Sequence, residues 1–123
     1  MTGEELVVRA EAAAANAYAP YSGYSVGATV ELRDGRVLDG VNVENAAYPL
    51  GVCAERTVIS KAASEGVRPG GIAGIGITAS PCGGCRQWLH EWQIGRVYFR
   101  REDGSIAEYT PTELLPDTWN LPG

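Results

Sequence analysis

No run of this sequence is apolar for long enough to cross a bilayer as a helix, which excludes a helical integral membrane protein. Internal repeats and low-complexity linkers are missing too, which excludes solenoid and multi-module architectures. Basic residues are few: 10 Lys and Arg stand against 15 Asp and Glu, for a formal charge of −5 and a pI near 4.8. A polynucleotide partner favours a basic surface, so DNA and RNA are not the expected ligands; a small neutral substrate is not disfavoured. The opening Met1-Thr2-Gly3-Glu4-Glu5 is acidic where a secretory leader is basic, and a cytoplasmic location is expected. Histidine occurs once, as His90, and cysteine occurs 3 times, an odd number that cannot pair fully within one chain. Reducing cytoplasm disfavours disulfides in any case, so metal binding is the economical use of all three thiols.

At 123 residues, with 45% hydrophobic and 20% charged residues, the chain reads as one globular domain, 1–123. Its cysteines are Cys53, in Cys53-Ala54-Glu55-Arg56, and the pair in Pro81-Cys82-Gly83-Gly84-Cys85. Three thiolates hold a zinc ion and leave its fourth tetrahedral position open, which is the coordination of a catalytic rather than a structural centre. Glu55 lies two residues after the first ligand, close enough to exchange protons with a metal-bound water without being a ligand itself. Arg56 is placed to hydrogen-bond a cysteine sulfur and so to offset the negative charge of three thiolates on one divalent ion.

Taken in order, an alanine-rich pattern over residues 4–18 predicts a helix with Thr2 as N-cap and Glu4 and Glu5 in its first turn. Pro20 ends it, and 19–23 reads as a loop. Residues 24–32 and 36–43 suit two strands joined through Asp34-Gly35, a two-residue hairpin signal. Asn42 and Glu44, two apart at the end of the second strand, leave the same face. A helix is expected over 51–65, entered at Cys53 and closed by Gly66, and a second from Cys82 to Trp92. Strands are expected at 72–79, 96–100 and 106–110, with a helical turn at 111–115. Gly71-x-x-Gly74-x-Gly76 precedes a strand and opens no helix, so it is read as close backbone packing and not as a phosphate loop. This order predicts an α/β fold: one mixed sheet with helices on its faces.

Four stretches carry a family resemblance. Pro20-Tyr21-Ser22-x-Tyr24-x-Val26-Gly27-Ala28, Asn42-Val43-Glu44-Asn45-Ala46-x-Tyr48, Cys53-Ala54-Glu55-Arg56 and Pro81-Cys82-Gly83-x-Cys85-Arg86-Gln87 resemble the small zinc-dependent cytidine deaminases. The resemblance implies a three-layer α/β/α fold around a five-stranded mixed sheet. It implies Zn²⁺ on Cys53, Cys82 and Cys85, with Glu55 carrying a proton from water to the ring nitrogen and then to the departing amine. Asn42 and Glu44 would bind the ribose 3′-hydroxyl, Tyr24 would pack on the base, the Ala54 N–H would meet the pyrimidine carbonyl, and the Ser80 carbonyl would lie near the leaving amine. Cytidine and deoxycytidine are the implied substrates, and the implied assembly is a homotetramer with Ala46-Ala47-Tyr48 near a subunit boundary. Two features depart from the family: tyrosine at 24 where phenylalanine is usual, and a short tail with Trp119 where phenylalanine is more frequent.

Several alternatives use the same residues. Blasticidin S deaminases share the zinc motifs and have short aromatic tails. Cys82 and Cys85 alone resemble a redox pair at a helix N-terminus, but that leaves Cys53 and Glu55 without a role. A closed zinc centre in a non-enzymatic interaction module needs a fourth ligand, and His90 sits about 140° around the helix from Cys85. Taken alone, Asn42 and Glu44 suit a solvated strand end, Tyr24 surface packing, and Arg56 a solvated helix position. Arg86 would suit an ion pair at the second helix start. Trp88 and Trp92, four apart, suit a packed face better than a nucleic-acid stacking platform.

Overall fold

The structure, a computed structural model, describes residues 1–121. Helix α1 (Gly3–Ala13) begins with a reciprocal cap: the Thr2 hydroxyl accepts the Glu5 N–H, and the Glu5 carboxylate accepts the Thr2 N–H. Leu6, Val7 and Ala10 are its buried residues. The alanine pattern predicts helix to residue 18, but α1 ends at Ala13 and one 3₁₀ turn (Ala14–Asn16) follows. The cause is tertiary. The Tyr18 N–H donates to the Asn42 carbonyl at 3.0 Å and the Tyr18 carbonyl accepts the Glu44 N–H at 2.8 Å. Those bonds draw the chain at Tyr18 out of helix into a parallel bridge with Val43.

Five strands, β1 (Gly27–Leu32), β2 (Val37–Val41), β3 (Ile72–Ile77), β4 (Arg96–Arg100) and β5 (Ile106–Tyr109), form one sheet in the order β2-β1-β3-β4-β5. All neighbours are antiparallel except β3 and β4, so the sheet is mixed, as expected. The β1–β2 turn is one residue longer than the two-residue hairpin its sequence suggests. The Leu32 N–H donates to the Arg36 carbonyl at 2.8 Å, leaving Arg33-Asp34-Gly35 as the loop. Gly35 takes φ +96° there, the left-handed position a three-residue hairpin needs.

Helix α2 (Ala54–Ser64) connects β2 to β3, and α3 (Gly83–Glu91) connects β3 to β4. Both pack on one face of the sheet: Val58, Ile59 and Ala62 of α2 and Leu89 of α3 share a core with Ala28, Val30, Ile75 and Ile77. Helix α1 lies against the other face, which gives three layers. That face of β3 is made of glycine, and the α1 backbone comes close: a Cβ on Gly76 would stand 2.5 Å from the carbonyl carbon of Leu6. The glycine run is therefore a packing device, with Gly74 and Gly76 inside β3. A short helix, α4 (Pro111–Leu114), capped by Thr110 and Glu113, follows β5.

Candidate active site

The two cysteine motifs converge because each opens a helix. Cys53 is the N-cap of α2, Cys82 is the N-cap of α3, and Cys85 lies in the first turn of α3. The sulfurs of Cys53, Cys82 and Cys85 all lie within 4.8 Å of one another. A tetrahedral zinc–thiolate centre with bonds of about 2.3 Å spaces its sulfurs by roughly 3.8 Å, so the cluster fits zinc with little movement. Burial first, then the Glu55 carboxylate and the neighbouring thiols, push the Cys85 thiol well up; Cys82 is drawn down despite its burial, by hydrogen bonds from Cys85, Cys53 and the Gly84 amide. The Arg56 guanidinium supplies one positive charge, donating through Nη2 to Cys53 Sγ at 3.1 Å. Its Nε is buried with no hydrogen-bond partner. His90 stays outside the cluster, with Nε2 paired to Asn120 Oδ1 at 3.0 Å, so the centre has three protein donors among the described residues.

Glu55, on the first turn of α2, is 4% exposed, and burial raises its carboxyl pKa above the ordinary value. It opens into a cavity of about 330 Å³ shared by Tyr24, Asn42, Glu44, Cys53, Ala54, Ser80, Cys82 and Cys85. Every metal, catalytic and substrate-contact candidate named from the sequence thus lines one space, and Arg56 stands behind it. Tyr24 is 61% exposed at the mouth, and its hydroxyl is not engaged in any hydrogen bond among the described residues.

The far wall is tied to the chain around it. Asn42 Oδ1 accepts the Val26 N–H and Nδ2 donates to the Tyr24 carbonyl, each at 2.8 Å, which keeps residues 24–26 out of β1 and over the cavity. Glu44 Oε1 accepts the N–H groups of Tyr21 and Ser22 at 3.0 and 3.1 Å, while Oε2 accepts the Ser22 hydroxyl. These bonds, the Ser22 hydroxyl first, hold the Glu44 carboxyl below its usual range. Ser22 also lines the cavity, and sequence reasoning gave it no role; its place inside the Pro20-Tyr21-Ser22 stretch was the only available signal. Among the described residues Arg86 makes no ion pair at the start of α3: it donates to the carbonyls of Pro81 and Leu114 and to Ser80 Oγ, at 2.9, 3.0 and 3.1 Å. Trp119 is 68% exposed and lies outside the cavity lining.

A buried carboxylate beside a three-thiol centre with an open position is the equipment of a zinc-dependent hydrolase. Residues 1–101 match the family model of the cytidine and deoxycytidylate deaminase zinc-binding region, and the chain belongs to that family. A cytidine deaminase of Halalkalibacterium halodurans is 42% identical over 124 residues, covering 94% of this chain and 92% of that protein. One from Sporosarcina psychrophila is 40% identical and covers 98% of this chain and 93% of its own. The crystal structure of cytidine deaminase from Burkholderia pseudomallei superposes with a TM-score of 0.88 at 40% identity, covering 97% of this chain and all (100%) of that one.

Proposed function

We propose that this chain, acting as a single catalytic domain over residues 1–123, hydrolyses cytidine and deoxycytidine to uridine and deoxyuridine with release of ammonia. The observation that carries the reading is the placement of Glu55: a buried carboxyl with a raised pKa, next to three converging thiols, in a cavity whose other wall carries Asn42 and Glu44. Zinc, held by Cys53, Cys82 and Cys85, supplies the acidity that makes water nucleophilic near neutral pH. As the water oxygen bonds to C4, Glu55 would carry one of its protons to the ring nitrogen and would then carry the proton of the new C4 hydroxyl to the amine, which leaves as ammonia when the C4–N bond breaks. Burial suits it to both roles, because a carboxyl shielded from bulk water exchanges its proton with the bound substrate and not with solvent.

The other residues bind and orient. The Ala54 N–H, free at the first turn of α2, donates to the pyrimidine carbonyl, and the Ser80 carbonyl receives the departing amine. Tyr24 offers its ring face to the base. Asn42 and Glu44 retain hydrogen-bonding capacity for the 3′-hydroxyl beyond their bonds within the chain. Salvage of free pyrimidine nucleosides in the cytoplasm is the setting this substrate implies. A homotetramer is the proposed assembly, supported by the exposed apolar residues Tyr18, Tyr21, Tyr48 and Leu50, of which Tyr21 and Tyr48 line a second hollow that shares Ser22 and Glu44 with the cavity.

The test is the ultraviolet change on mixing zinc-loaded protein with cytidine, with Glu55→Ala as control. Conversion to uridine by the wild type alone, with one zinc per chain in both, is the expected result. Conversion by Glu55→Ala at the wild-type rate overturns the assignment of Glu55, and no conversion by either overturns the substrate.

A further inference from the structure

The sugar side of the cavity is built around one serine. A carboxylate offers about four acceptor positions. In Glu44 three are filled from inside the chain: two on Oε1 by the Tyr21 and Ser22 amides, and one on Oε2 by the Ser22 hydroxyl. One position on Oε2 is left for a donor in the cavity. The same Ser22 oxygen accepts the Tyr24 N–H at 3.0 Å, so a single hydroxyl ties the carboxylate to the backbone of the aromatic at the mouth. Ser22 itself is exposed and outside the core, so its hydroxyl is not required for packing. The backbone approach is prepared by Gly23, at φ +68°, whose N–H closes onto the Ala19 carbonyl at 3.0 Å.

We propose that Ser22 is the positioning residue for sugar recognition: by occupying one side of Glu44 Oε2, it leaves the carboxylate one acceptor position for a sugar hydroxyl. This rests on the reading of Glu44 as the ligand of the 3′-hydroxyl. Without the Ser22 hydroxyl, Oε2 gains a second free position and a rotamer it can leave, so the carboxylate no longer arrives preoriented. The loss falls on substrates that donate to Glu44 and spares those that cannot.

The experiment compares cytidine with 3′-deoxycytidine in the wild type, Ser22→Ala and Ser22→Thr, and reads the same pairs as Kd in a Glu55→Gln background, where turnover plays no part. Ser22→Ala is expected to raise the cytidine KM and Kd about tenfold, with kcat changed by less than about threefold. The values for 3′-deoxycytidine should move far less, so that the discrimination between the two collapses. Ser22→Thr, which keeps the hydroxyl at an exposed position, restores it. Equal losses on both substrates, or unchanged discrimination in Ser22→Ala, overturn the role of Ser22 and leave that of Glu44 standing. No discrimination by the wild type overturns the sugar reading of Glu44 itself, and the role of Ser22 with it.

Discussion

Arg56 Nη2 stands 3.1 Å from the sulfur of Cys53, three residues back on the same turn of α2. Three thiolates on a divalent ion leave an excess negative charge, which opposes ionisation of anything bound at the open position. A guanidinium hydrogen-bonded to one sulfur removes part of that charge. Arg56→Ala is expected to keep the fold and one zinc per chain while kcat falls about tenfold, as outer partners of metal sites generally cost when removed. Metal content by atomic emission, measured beside kcat, checks it; unchanged turnover removes Arg56 from the mechanism.

Zinc bound by the three thiols would also join two helices that otherwise meet weakly, since Cys53 opens α2 and Cys82 and Cys85 open α3. Stripping the metal with a strong chelator is expected to abolish turnover and lower the melting temperature. The stabilisation withdrawn is about 4 kcal/mol when zinc had been present at a thousand times its Kd. Thermal melts and activity with and without zinc added back check this, and both should recover together.

Gly76 tests the packing of α1 on the sheet. A methyl group there would stand 2.5 Å from Leu6 C and 2.7 Å from Val7 N, both of them helix backbone that no rotamer change can move aside. Gly76→Ala is expected to cost about 1–3 kcal/mol of stability, the usual penalty of overpacking. Urea unfolding followed by circular dichroism checks it.

Asp39 tests the link between α1 and the sheet. Burial works against its charge but is outweighed by hydrogen bonds from Arg9 and Thr29 and by the charges of Arg9 and Lys61, so its pKa lies below the ordinary 3.8. The Thr29 hydroxyl it accepts, at 2.7 Å, is fully buried. A carboxyl with a lowered native pKa contributes fully above its unfolded value and loses that contribution as the pH falls through the native value. Asp39→Asn is therefore expected to cost about 1 kcal/mol near neutrality. The gap from the wild type should narrow only below pH 3.8. Urea unfolding at about pH 7 and at about pH 3 checks the sign.

Local chemistry made the helix starts legible. Thr2 with Glu5, Cys53 before an alanine-bearing helix, and Cys82 after a proline are signals that act over three or four residues, and each opens a helix where expected. Gly66, at φ +95°, closes α2 for an equally local reason. The end of α1 was not legible, because Tyr18 is drawn out of helix by Asn42 and Glu44, more than twenty residues away. The partners of Arg86 were not legible for the same reason: they include Leu114, whose position depends on the docking of α4.

The sequence by itself determined which three thiols converge and the strand-and-helix order, because three thiols, a carboxyl two residues after the first, and the caps beside them are fixed by spacing along the chain. Only the tertiary structure decided how the walls of the cavity are held. Ser22 and Glu44 meet because β2 returns along β1 and carries residues 42–44 back against the loop that follows α1. A hydrogen bond between groups twenty-two residues apart exists only once both strands are paired, and no local pattern encodes it.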